Sequence, residues 1–187
     1  MKKIIMFLTL LILVLSCGSG QNNEDINKTN PQGVEADDLQ VIDGKVYRYG
    51  EEKAYSGKVI TRDENDKIIM IETAKDGKIE GEVKTYYETG KLKEVYSVKD
   101  DKIEGTYKWY GKDGSIEINA TYKNNERETE TAISTKDKKP YTGTYTETYA
   151  NGNISEVMKF TNGKRDGETI YYYDNEKIKE RIPYVQG

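Results

Sequence analysis

Side chains able to do chemistry are scarce in this chain of 187 residues. It has no histidine and a single cysteine, Cys17. Serine–histidine and cysteine–histidine nucleophile pairs are therefore excluded, and so are the usual zinc and copper sites. Carboxylates remain, and paired acids can hydrolyse glycosides. Glu80, Glu104, Glu128 and Asp166 recur at one position of a repeating unit, which marks them as repeat architecture on a solvated face. The clusters Asp63-Glu64-Asn65-Asp66 and Asp174-Asn175-Glu176 offer oxygen ligands without the spacing of a calcium loop, and read as solvated turns. The expectation is a chain that is not an enzyme, with no catalytic residues, no metal and no cofactor.

The chemistry left to Cys17 is that of an acyl acceptor. Lys2 and Lys3 precede an apolar run from Ile4 to Leu15, broken only by Thr9, and Ser16-Cys17 leads into Gly18-Ser19-Gly20. A basic start, a short apolar stretch and small residues at its end describe a signal peptide, too short for a stable spanning helix. The junction Val14-Leu15-Ser16-Cys17 resembles the bacterial lipobox, which implies cleavage before Cys17 and lipidation of its thiol. A lone thiol in an exported chain has no disulfide partner, and lipidation accounts for it. Anchoring in the cell envelope is the consequence, with Gly18 after the cysteine resembling outer-membrane sorting if the source has two membranes. Loss of Lys2 and Lys3 leaves 27 basic against 33 acidic side chains, a formal charge of −6. Nucleic acid is disfavoured as a partner, because phosphate neutralisation needs a basic surface.

The part of the chain beyond the anchor must present a surface. Residues 17–42, the lipidated cysteine and a polar stretch poor in core-forming side chains, read as a flexible tether. Past the tether glycines fall at 57, 81 and 105, then at 143 and 167, in steps of 24. Nine residues after each come Asp66, Gly90, Gly114, Gly152 and Glu176, and two further on Ile68, Leu92, Ile116, Ile154 and Ile178. KDKKPYTG ending at Gly143 matches GEEKAYSG ending at Gly57, so a leader occurs twice. The tandem comprises residues 43–128, a leader plus three repeats, and residues 129–187, a leader plus two.

Within a repeat, runs rich in tyrosine, valine and threonine are separated by turn clusters such as ETG and KDD, which is hairpin punctuation. Gly90, Gly114 and Gly152, preceded by Thr89, Asp113 and Asn151, suit structural turns that need positive φ. Alternation along the second strand puts Leu92, Glu94 and Tyr96 on one face. The predicted fold is all-β, an elongated antiparallel meander in which recurring tyrosines pack repeat against repeat. Glu176, in a terminal copy that carries a side chain at the turn position, is expected to tolerate substitution better than the glycines.

YYETGKLKEVYSVKDDKIEG and TYANGNISEVMKFTNGKRDG resemble the MORN repeat variant, the likeness running from about Val46 to Gly187. The resemblance implies an elongated β-hairpin repeat fold and brings no catalytic residues. Its bacterial members are often labelled antitoxin components, which implies neutralisation of a toxin partner as an alternative role. Trp109, which stands where other copies have Thr85, Glu147 and Tyr171, is the candidate partner-contact residue. The reading is a lipid-anchored β-repeat protein that binds a protein or an envelope polymer on its sheet surface.

Overall fold

The computed structural model describes residues 24–185. The expected signal peptide, Cys17 and Gly187 lie outside the described residues. Those described form an all-β fold with two single-turn 3-10 helices, Ile26–Lys28 and Ala36–Asp38. A leader contributes β1 (Val34–Glu35), β2 (Leu39–Ile42) and β3 (Lys45–Arg48). The first three repeats contribute β4 (Gly57–Arg62), β5 (Ile68–Lys75), β6 (Lys78–Ile79), β7 (Gly81–Tyr86), β8 (Leu92–Lys99), β9 (Lys102–Ile103), β10 (Gly105–Tyr110), β11 (Ile116–Lys123) and β12 (Glu126–Ser134). The last two contribute β13 (Gly143–Thr148), β14 (Ile154–Thr161), β15 (Lys164–Arg165), β16 (Gly167–Tyr172) and β17 (Ile178–Tyr184). One sheet runs in the order β1-β4-β5-β7-β8-β10-β11-β12 and another β13-β14-β16-β17, while β2 and β3 pair by themselves.

The period of 24 residues is the length of one hairpin with its two turns. Each copy opens on a six-residue strand at its glycine, and the first four return on an eight-residue strand. At the first turn the Gly90 N–H donates to the Tyr87 carbonyl at 2.7 Å, and Gly152 to Tyr149 at 3.0 Å. Gly90, Gly114 and Gly152 have φ of +81°, +74° and +89°, and Asp66 and Glu176 share this left-handed geometry at +65° and +63°. Asp113 and Asn151 stay at negative φ, and their carboxyl or amide oxygen instead accepts the N–H two residues on. This is a turn closed by one left-handed residue, whereas the two-residue turn with both centres at positive φ lies at the other end, at Asp76-Gly77, Asp100-Asp101, Asn124-Asn125 and Asn162-Gly163.

The first turn leaves a bulge that decides which side chains face inward. Thr85 pairs with Glu94 but Tyr86 with Leu92, so the register slips by one residue, as it does between Thr61 and Arg62, Glu147 and Thr148, and Tyr171 and Tyr172. Leu92 therefore joins Tyr86 on the outer face, and the simple alternation that groups it with Glu94 and Tyr96 does not hold. The inner face is fixed by the residue two after each repeat glycine: Val59, Val83, Tyr107, Tyr145 and Thr169 are all buried. The leader closes the first repeat, with Val34, Ala36, Leu39 and Val46 packed against Val59 and Ala74.

The tether reading needs correction from residue 24 onward. Glu24 Oε2 takes the Lys84 ammonium at 2.6 Å and Glu24 Oε1 accepts the Tyr86 hydroxyl at 2.9 Å. Ile26 is buried, and Val34-Glu35 pair in parallel with Val59-Ile60. A polar composition hides this because a few scattered apolar side chains, Ile26, Val34, Ala36 and Leu39, with some main-chain bonds and an ion pair suffice to hold the segment on a sheet.

The chain divides into two compact units. One takes the described residues up to Lys108 with Thr121–Glu128; the other takes Trp109–Ala120 with the residues from Thr129.

Candidate functional site

Two of the recurring acids, Glu104 and Glu80, have structural partners. Glu104 Oε2 accepts the Asn124 N–H at 2.9 Å, and at the same repeat position Ser56 accepts from Asp76 at 2.8 Å and Thr142 from Asn162 at 2.9 Å. Glu80 instead pairs with Lys75 at 3.0 Å. Asp63 Oδ1 is taken by the N–H groups of Asn65 and Lys67, both at 2.9 Å. Its carboxylate thus closes its own turn, and among the described residues no cluster of three or more potential ligand residues could hold a metal.

Trp109 is not a surface residue. It is 7% exposed and meets the Tyr145 ring edge-on, centroids 5.4 Å apart. Its departure from the repeat pattern is a packing substitution: Tyr145 reaches past it to accept the Lys112 N–H at 2.8 Å, over Gly111, where a Cβ would collide with the Tyr145 ring.

Two ionisable clusters sit on the inner faces. In the first unit Glu94 accepts from Thr85 at 2.9 Å and from Tyr107 at 3.0 Å, and Tyr107 stacks on Tyr96. Glu72 lies on the same face, buried, with Oε2 lacking any partner, and burial pushes its carboxyl up to about 7. In the second unit the buried Arg165 guanidinium meets Glu130 at 2.7 Å, Glu156 at 3.5 Å and the Thr169 hydroxyl at 3.2 Å. Burial disfavours its charge, but Glu130 and Glu156 more than offset this and hold it up. Both clusters were legible in principle. Glu72 is a charge at the position of Tyr96, Ala120, Met158 and Ile182, and Arg165 one at the position of Ile79 and Ile103, where the third copy also carries a charge, Arg127. Buried at Glu72, Tyr107, Arg165 and Thr169 and half-buried at Glu94, Glu130 and Glu156, they are suited to holding strands together.

The outer faces are the surfaces within reach of a ligand, and the two units treat them differently. In the first, cross-strand neighbours Ile60, Ile71, Lys84 and Val95 form a row, with Tyr86 beside Leu92. Residues 24–34 lie over it, Leu92 N–H donating to the Glu24 carbonyl at 3.1 Å and Ile26 N–H to Gly90 at 2.9 Å. Leu92 is 9% exposed. Beside the segment opens a cleft of about 240 Å³ whose walls include Thr29, Pro31, Lys58, Thr73 and Glu82. In the second unit the equivalent row is Thr146, Val157, Ile170 and Arg181, with Tyr172 beside Ile178. There Ile178 is 45% exposed and Ile154 40%.

With this geometry in view, the comparison with known families is specific. The MORN repeat variant matches residues 79–100, 103–124 and 165–186. The MORN-variant stretches coincide with the second, third and fifth hairpins; the first and fourth have the same strand lengths and left-handed turn residues without a match. No curated protein and no solved structure matches the chain.

Proposed function

We propose that the chain is a lipid-anchored, non-enzymatic envelope protein that binds a protein or an envelope polymer through the outer face of its β-repeats. The observation that carries the binding role is the exposure of two isoleucines on the outer face of the second unit, Ile154 paired with Thr148 and Ile178 paired with Tyr172. Grouped apolar side chains on a soluble domain, rimmed by polar residues, mark interaction surfaces. The absence of histidine and the structural partners of two recurring acids, Glu104 and Glu80, support a role without catalysis. The signal-like start and Cys17 support anchoring at a membrane of the envelope.

The test is capture from intact envelopes by the wild-type chain and by Ile154→Asp/Ile178→Asp, with an unrelated lipoprotein as control. A partner held by the wild type and lost by the variant is expected. Identical captures by all three would remove the binding role. Anchoring is tested separately with an alkyne fatty acid, which should label the wild type and leave Cys17→Ser unlabelled.

A further inference from the structure

We propose that the outer face of the second unit receives a peptide segment of a partner protein, laid over its strands as residues 24–34, with their single 3-10 turn at Ile26–Lys28, lie over the first unit; this rests on the binding role proposed above. The first unit supplies the template. Its segment is held by Ile26 buried on the sheet, by main-chain bonds to Gly90 and Leu92, and by Glu24 on Lys84 and Tyr86. Repeat register assigns each of these anchors a counterpart: Glu176 and Ile178 for the main-chain bonds, Ile170 for Lys84 and Tyr172 for Tyr86. The counterpart surface has the same strand pairing, an apolar pair Val157 and Ile170 side by side, and exposed Ile178.

Two differences bear most on the occupant. Ile170 replaces the ammonium of Lys84, and the neighbouring Arg181 guanidinium is held by Glu168 at 2.7 Å, so a carboxylate in the place of Glu24 would lose its ion pair, and an apolar side chain fits there better. Glu176 replaces Gly90, at which a Cβ would run into the Asn27 side chain, so the occupant needs a glycine or another small residue in the place of Asn27. The surface therefore fits a peptide with two aliphatic side chains two residues apart, followed at once by a small residue, in the turn that Ile26–Lys28 make on the first unit.

Two fluorescent peptides test this on the whole chain by anisotropy: residues 24–35 as they stand, and the same peptide with Glu24→Leu and Asn27→Gly. The altered peptide should bind at least about tenfold more tightly, the size expected for relieving one buried unpaired charge. Ile178→Asp in the chain should abolish its binding. Ile170→Lys, checked for folding by circular dichroism, should favour a peptide that keeps Glu24 and carries only Asn27→Gly. Failure of the altered peptide to bind, or a preference for leucine that survives Ile170→Lys, overturns the proposal. If the peptides fail while Ile154→Asp/Ile178→Asp still loses its envelope partner, the peptide mode falls and the binding role stands.

Discussion

Arg165 and Glu130 meet at 2.7 Å inside the second unit although 35 residues separate them, and both are largely buried. A paired charge in this position is costly to break and cheap to remove whole. Glu130→Ala should lower stability by on the order of 3 kcal/mol, because the guanidinium keeps only part of its compensation. The triple change Arg165→Ile, Glu130→Leu and Glu156→Leu should recover most of that, since isoleucine is what Ile79 and Ile103 place there. Urea midpoints decide it; a triple variant weaker than Glu130→Ala would show that the ions specify the fold.

The buried Glu72 carboxyl, raised by burial from its ordinary 4.5 to about 7, ties stability to pH. Between those values the folded state binds the proton that the unfolded state has released. The contribution is therefore fully present below about pH 4.5 and lost as pH rises through 7, roughly 3 kcal/mol in all. Glu72→Gln should match the wild type near pH 4.5 and exceed it at pH 8. Parallel stability curves for the two across this range would mean that the carboxyl is solvated.

The turn glycines separate backbone strain from collision. A Cβ at Gly114 or Gly152 meets nothing, so valine there should cost about 1–3 kcal/mol through φ alone. Glu176→Val should cost less, because glutamate at φ +63° already bears part of that strain, and Glu176→Asn should stabilise by up to about 1 kcal/mol. Gly90→Ala should exceed Gly114→Ala, since its Cβ displaces Asn27. Thermal melts of the alanine pair that coincide would mean that residues 24–27 do not dock at this turn.

Trp109 is the chain's one tryptophan, so its fluorescence reports on the second unit alone. Emission should be blue-shifted and protected from iodide in the folded protein, and Trp109→Ala should cost about 3–5 kcal/mol. Ready quenching by iodide would return Trp109 to the surface.

The repeat register, the hairpins and the left-handed turn positions were legible because each depends on residues close in sequence. The placement of Leu92 was not, because a bulge moves it across the sheet, and bulges come from turn geometry that alternation ignores. Residues 24–34 mislead for a related reason: their partners, Lys84, Tyr86 and Leu92, lie some sixty residues away, and composition carries no trace of a distant ion pair. Trp109 misleads because an unmatched aromatic in a repeat reads as a contact, while Tyr145 supplies its packing partner from another copy. Unequal cover of the two outer faces had a signal in Ile170, an isoleucine where the first unit needs Lys84.

Docking of Glu24 on Lys84 and Tyr86 also sets a length. On the anchoring proposed above, seven peptide steps separate the lipidated Cys17 from the first docked residue, a reach of about 25 Å at full extension. A free strand out to residue 42 would have spanned about 85 Å. On that anchoring the docked domain would be a buoy on a short chain, kept to a thin shell at the bilayer surface, and a partner would have to come down to the membrane to be met.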